Sequence, residues 1–171
     1  MKNKKGFTLA EVLVAVVVIV IALVPLIMVI GQGAKRGKDP QKIAVANLLA
    51  QDLMEEIICK SFDEDPTNPT SSANLGPERN ESRSGAPTTR NYDDVDDYDG
   101  YTETPPKEVD GTVMTDYTGY TRSVVVEYVS ETNLDTVSTA ITRYKRITVT
   151  VSWTSGGTAQ STVLRAIKGN Y

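Results

Sequence analysis

Met1-Lys2-Asn3-Lys4-Lys5-Gly6-Phe7-Thr8-Leu9-Ala10-Glu11-Val12-Leu13-Val14-Ala15 opens the chain, and an apolar run continues from there to Ile30. The first six residues form a short basic leader. From Phe7 onward the side chains are apolar apart from Thr8 and Glu11, and most are Val, Ile, Leu or Ala. About 24 residues in a helix reach roughly 36 Å, enough to cross the hydrocarbon core of a bilayer. Lys2, Lys4 and Lys5 favour a cytoplasmic N-terminus. Lys35, Arg36 and Lys38 on the far side pull the other way, so charge alone orients the span loosely.

Glu11 is the informative residue in this run. An ordinary secretory signal is cut after its apolar stretch, where Gly31-Gln32-Gly33-Ala34 offers small residues. An ordinary signal anchor keeps its leader. Neither arrangement accounts for a carboxylate inside the span, which costs on the order of 2.5–3.5 kcal/mol near the bilayer centre and less at an interface. A tolerated interfacial acid is one account of Glu11. Pro25, mid-run, is either a kink or a harmless membrane proline.

Lys5-Gly6-Phe7-Thr8-Leu9-Ala10-Glu11 resembles the cleavage and methylation motif of type IV prepilins and of type II secretion pseudopilins. That resemblance implies cutting between Gly6 and Phe7 by a prepilin peptidase on the cytoplasmic side, then N-methylation of Phe7. Glu11 falls fifth counting from Phe7, where the family keeps an acid. The family picture gives it a partner: cleavage creates a positive amine, and assembly buries that amine among packed helices. A buried charge without a partner is costly, and a carboxylate from a neighbouring subunit offsets it.

Gly31, Gly33, Gly37 and Asp39-Pro40 read as a loosened joint at the lipid headgroups. Helical periodicity resumes at Gln41, with Ile43, Ala46, Ala50, Leu53 and Ile57 on one stripe and Asp52, Glu55 and Glu56 off it. The stretch from Ala44 to Ile57 resembles the second helical half of I-type minor pseudopilins and V-type minor pilins. Cys59, the only cysteine, follows Ile57 and Ile58 and reads as a small buried apolar residue; an intermolecular bridge or a lipidated thiol is the alternative.

Ser61 to about Arg90 is rich in Pro, Asn, Ser, Thr and Gly and reads as a long loop. Asn91-Tyr92-Asp93-Asp94-Val95-Asp96-Asp97-Tyr98-Asp99-Gly100 follows. An EF-hand loop does not fit, because Val95 takes its first position and no terminal glutamate falls at the needed spacing. Clustered carboxylates still suit hard cations, so an irregular calcium site stands beside a solvated acidic loop with packed tyrosines. The Asp93–Gly100 phrase is similar to one in certain minor pilins, including those of mannose-sensitive haemagglutinin pili. No metal ligand set and no cofactor is assigned.

The C-terminal part alternates. Val124, Val126 and Tyr128 form one inward series, and Ile147, Val149, Val151 and Trp153 form another. Ser155-Gly156-Gly157 is a tight turn, and Gln160 to Ile167 returns as the paired strand. Tyr117-Thr118-Gly119-Tyr120 is a turn before the first of at least three antiparallel strands. The expected fold is therefore α+β: a long N-terminal helix, half membrane-spanning and half amphipathic, packed on a small antiparallel sheet. The expected division is a leader over 1–6, a membrane or filament-core helix over 7–30, a joint and amphipathic helix over 31–60, and an extracytoplasmic head over 61–171.

Functional classes narrow accordingly. The chain has no histidine, so Ser-His-Asp and Cys-His catalysis and imidazole metal sites are excluded. A net charge of -4 disfavours nucleic acid as a partner. The resemblance implies a structural filament subunit, a minor pilin or pseudopilin, with no catalytic residues. Gly6 and Phe7 would serve processing and Glu11 assembly. The implied partners are prepilin peptidase, other pilin or pseudopilin subunits, a membrane assembly platform, and the bilayer before assembly. The implied location is the plasma (inner) membrane, crossed once with the N-terminus cytoplasmic, then an extracytoplasmic filament. The competing reading is a single-span anchored adhesin or receptor with an independent binding head.

Overall fold

The computed structural model describes residues 8–36, 38–65, 67–71, 73–78, 80–83 and 90–171. The chain divides into two compact units, Met1–Lys42 and Ile43–Tyr171. Gly6 and Phe7, with the rest of the leader, lie outside the described residues.

In the first unit, α1 runs from Leu9 to Arg36 and carries Pro25 inside it. The helix is assigned on both sides of that proline. Gly37 of the expected joint lies outside the described residues. Gly31 and Gly33 lie within α1, and α2 (Lys38–Ile58) already includes Asp39 and Pro40 in its first turn. Proline is tolerated there because the first-turn N–H groups have no intrahelical partner. Among the described residues no helix is long and apolar enough to cross a membrane. The apolar run read from the sequence passes through Val24 and residues 26–30, whose side chains are not among those described.

The second unit is α+β. Its sheet has four antiparallel strands in the order β3 (Thr102–Glu103), β4 (Tyr120–Tyr128), β5 (Tyr144–Ser155), β6 (Thr158–Gly169). Two short strands, β1 (Glu81–Ser82) and β2 (Arg90–Asn91), pair in parallel apart from it. The β5–β6 hairpin closes on Gly156 and Gly157, with Ser155 paired to Thr158. Both glycines have positive φ, 57° and 81°. A two-residue turn of this hand matches the twist of the flanking strands, and non-glycine residues adopt it at a cost.

The core lies between α2 and one face of the sheet. Ala46, Ala50, Leu53 and Ile57 are buried as the helical stripe requires, joined by Leu49 and Met54, while Ile43 at the start of the stripe is 46% exposed. Facing them are Val124 and Val126 of β4 and Ile147, Val149, Val151 and Trp153 of β5. The register pairs Val124 with Val149 and Val126 with Ile147, so the alternation read from sequence is the alternation of burial. Leu53 is fully buried at the centre of this contact. Leu53→Ala should cost about 2–5 kcal/mol in urea unfolding of the full chain in detergent; a loss below about 1 kcal/mol would show that this helix face is not the core.

Cys59 is exposed, contrary to the buried reading. Helix α2 ends at Ile58, so Ile57 takes the last core position and the chain turns away before the thiol.

Candidate functional site

Two places carry chemistry beyond packing. The first is the start of α1. Thr8 sits just before the helix and Glu11 is its third residue. The Thr8 N–H and hydroxyl donate to Glu11 Oε2 at 3.1 and 3.2 Å, and the Glu11 N–H donates to Thr8 Oγ1 at 3.3 Å. This is a capping box: the two side chains satisfy backbone donors that the first turn leaves open, and the acid also complements the helix dipole. Glu11 is exposed in the isolated chain. The apolar side chains after it are exposed too, with Leu13 at 60% and Ile21 at 68%. An apolar helix surface of this extent requires a lipid or protein cover.

The second place is the acidic turn of the head. Here the reading of a solvated loop is corrected. Asp94, Asp96 and Asp97 are buried, as are Tyr92, Val95 and Tyr98. Tyr92 and Tyr98 pack edge to face at 4.9 Å, which seats the turn on the core. A 3₁₀ turn over Asp96–Tyr98 folds the carboxylates back on their own backbone. Asp97 Oδ2 accepts from the N–H groups of Asp93 and Asp94 at 2.9 and 3.1 Å. Asp94 Oδ1 accepts from those of Asp96 and Asp97 at 3.0 and 3.3 Å. Burial, with the charges of Asp96 and Asp97 nearby, pushes Asp94 up to about 8. Burial and the adjacent Glu81 carboxyl push Asp97 up to about 6 against the pull of its backbone donors. Burial and Glu81 also raise Glu78 to about 7. Three overlapping carboxylate groups form here: Glu64, Glu81 and Asp93; Glu78, Glu81 and Asp97; and Asp93, Asp94 and Asp97. Within each, the oxygens lie within 4.8 Å of one another.

Two buried cations anchor this turn and the sheet edge, and sequence reasoning passed over both. Lys145 donates to Phe62 O at 2.7 Å, to Asp63 at 3.1 Å, and to Asp96, with the rings of Phe62 and Tyr128 against its ammonium. Arg122 reaches Glu103 through Nε at 2.6 Å and Asp52 through a terminal nitrogen at 2.8 Å. Their signal was present in the alternation. Arg122 continues the inward series of Val124 and Val126, and Lys145 that of Ile147 and Val149. Arg83 completes the set by bridging Glu56 on α2 and Glu103. Burial raises Glu56, but the hydrogen bonds from Arg83 and Tyr98 and the Arg83 charge outweigh it and hold that carboxyl below its usual range.

A comparison with known families bears on the same N-terminal stretch. Residues 1–27 match the family model of the prokaryotic N-terminal methylation motif. The chain carries this motif. The methylation motif spans Gly6, Phe7 and Glu11 together and supports the kinship with type IV pilins and pseudopilins, whose role is structural rather than catalytic. It implies processing at the N-terminus by a prepilin peptidase, assembly with pilin subunits, and a membrane-anchored form that later joins a pilus. No curated protein and no solved structure matches the chain.

Proposed function

We propose that this chain is a structural subunit of a type IV pilus-like filament, of the minor pilin or minor pseudopilin kind, and has no catalytic activity. Prepilin peptidase removes residues 1–6, leaving Phe7 as a methylated N-terminus. Before assembly the run from Phe7 to Ile30 spans the plasma membrane once, with the N-terminus cytoplasmic and the head outside. A membrane assembly platform then moves the subunit into the filament, where the same apolar surface is covered by neighbouring helices instead of lipid. Residues 31–60 link this segment to the head and residues 61–171 build most of it.

The observation that carries the reading is Glu11, fifth from Phe7 inside the matched motif. In the filament its carboxylate meets the Phe7 amine of an adjacent subunit, and the pair sets the axial register of subunits more than it adds stability. The capping box leaves Glu11 Oε1 without a bond to Thr8, so one carboxylate can serve both roles.

Mass spectrometry of the mature protein tests the proposal directly. The expected N-terminal peptide begins at Phe7 and is one methyl group heavier than the sequence. A peptide beginning at Met1 would overturn it and favour an anchored receptor with an uncut leader. Recovery as the most abundant subunit of purified fibres would overturn the minor assignment alone.

A further inference from the structure

Carboxylate oxygens of the acidic turn are buried without a hydrogen bond among the described residues. Asp97 is fully buried and Asp94 is 1% exposed. One oxygen of each is bound by two backbone N–H groups, as described above. The other oxygens, Asp97 Oδ1 and Asp94 Oδ2, are buried without a hydrogen-bond partner among the described residues. A buried carboxylate oxygen left this way costs free energy unless a proton or a cation meets it. Lys145 does not fill that role for them, since its three donors go to Phe62, Asp63 and Asp96. Asp97 also stands beside the Glu81 carboxyl, with an oxygen of each within 4.8 Å of the other.

We propose that this turn binds one divalent cation of the calcium type, centred on Asp97, with Asp94, Asp93, Glu81 and Glu78 as the surrounding carboxylates. The spacing fits. Calcium–oxygen distances are about 2.3–2.6 Å, so ligands on opposite sides of one ion stand about 5 Å apart. The oxygens of both groups that contain Asp97 fall within 4.8 Å of one another. All the ligands are hard oxygens, and no imidazole or thiolate is among them. They come from two separate parts of the chain, Glu78 and Glu81 on one side and Asp93 to Asp97 on the other, with β1 paired to β2 between them. Such a site suits the variable six-to-eight coordination of calcium better than the strict octahedron of magnesium. Its effect would be to staple the long loop to the turn. The inference is independent of the filament reading, since it concerns the head unit alone.

The test uses the full chain in detergent, freed of metal by chelation. Terbium is the optical probe, because Tyr92 and Tyr98 flank the aspartates and can sensitise its emission. The expected result is saturable terbium luminescence that calcium displaces and a several-fold excess of magnesium does not. Added calcium should also raise Tm by roughly 3–8 °C. Asp97→Asn and the double variant Asp94→Asn/Asp97→Asn keep an acceptor for the backbone N–H groups, so both should fold. Both should lose the calcium-dependent Tm shift, with affinity falling at least about tenfold. Absence of any calcium response in the unaltered chain would overturn the proposal, whatever the variants do. So would variants that respond to calcium as the parent does. Displacement by magnesium at equal concentration would overturn the calcium assignment.

Discussion

Arg122→Ala should destabilise the head by about 3 kcal/mol, lowering Tm by roughly 6–12 °C. Arg122 is fully buried, and Glu103 beneath it is 5% exposed. Removing the guanidinium breaks the pair with Glu103 and the bond to Asp52 on α2. It also removes one donor each from the carbonyls of Leu49 and Lys107, of which the Lys107 oxygen keeps its bond from Arg83. The loss stays near the lower end for a broken buried pair, because Arg83 and the Tyr101 hydroxyl still hold Glu103 Oε2. Asp52 adds little, since its side chain is 53% exposed and water replaces the arginine there. Arg122→Lys keeps the charge but not the planar fork, so it should fall between parent and alanine variant. Urea unfolding should show a lower midpoint with an unchanged m-value. A midpoint shift within error for Arg122→Ala would mean that the charge network does not join helix and sheet.

Glu11→Ala should leave cleavage at Gly6-Phe7 intact yet sharply reduce incorporation into filaments. The structure adds a complication that the variant must resolve, because alanine removes two things at once. One is the proposed partner of the Phe7 amine. The other is the capping box with Thr8, worth about 0.5–2 kcal/mol of helix stability. Glu11→Gln separates them: glutamine at this position supports a capping box but carries no charge. If pairing controls assembly, Glu11→Gln should fail like Glu11→Ala, and both should be processed normally in a peptidase assay. If Glu11→Gln assembles like the parent, capping suffices and the amine-pairing role is lost.

The alternation of Val124–Tyr128 and Ile147–Trp153 was legible because a strand buried on one face must repeat every second residue. The α2 stripe was legible for the matching helical reason. The Gly156-Gly157 turn followed from the positive φ that such a turn demands. Arg122 and Lys145 were less visible. Their positions in the alternation place them inward, but whether an inward cation is tolerable depends on carboxylates 19 and 49 residues away in sequence, Glu103 and Asp96. The acidic turn was misjudged in the same way. Five aspartates between Asp93 and Asp99 look like a surface, and only the packing of Tyr92 and Tyr98 carries three of them inside. Cys59 failed for a smaller reason: the helix stopped one residue before it.

The sequence by itself determined that an apolar helix stands at the N-terminus, that a processing motif begins it, and that a helix followed by antiparallel strands builds the head. These are local patterns, written in consecutive residues and fixed by helix and strand periodicity. Tertiary structure alone decided which charges are buried and which carboxylates converge on Asp97. Those outcomes depend on which groups meet in space and on how much water is left between them, and no stretch of the chain carries that information alone.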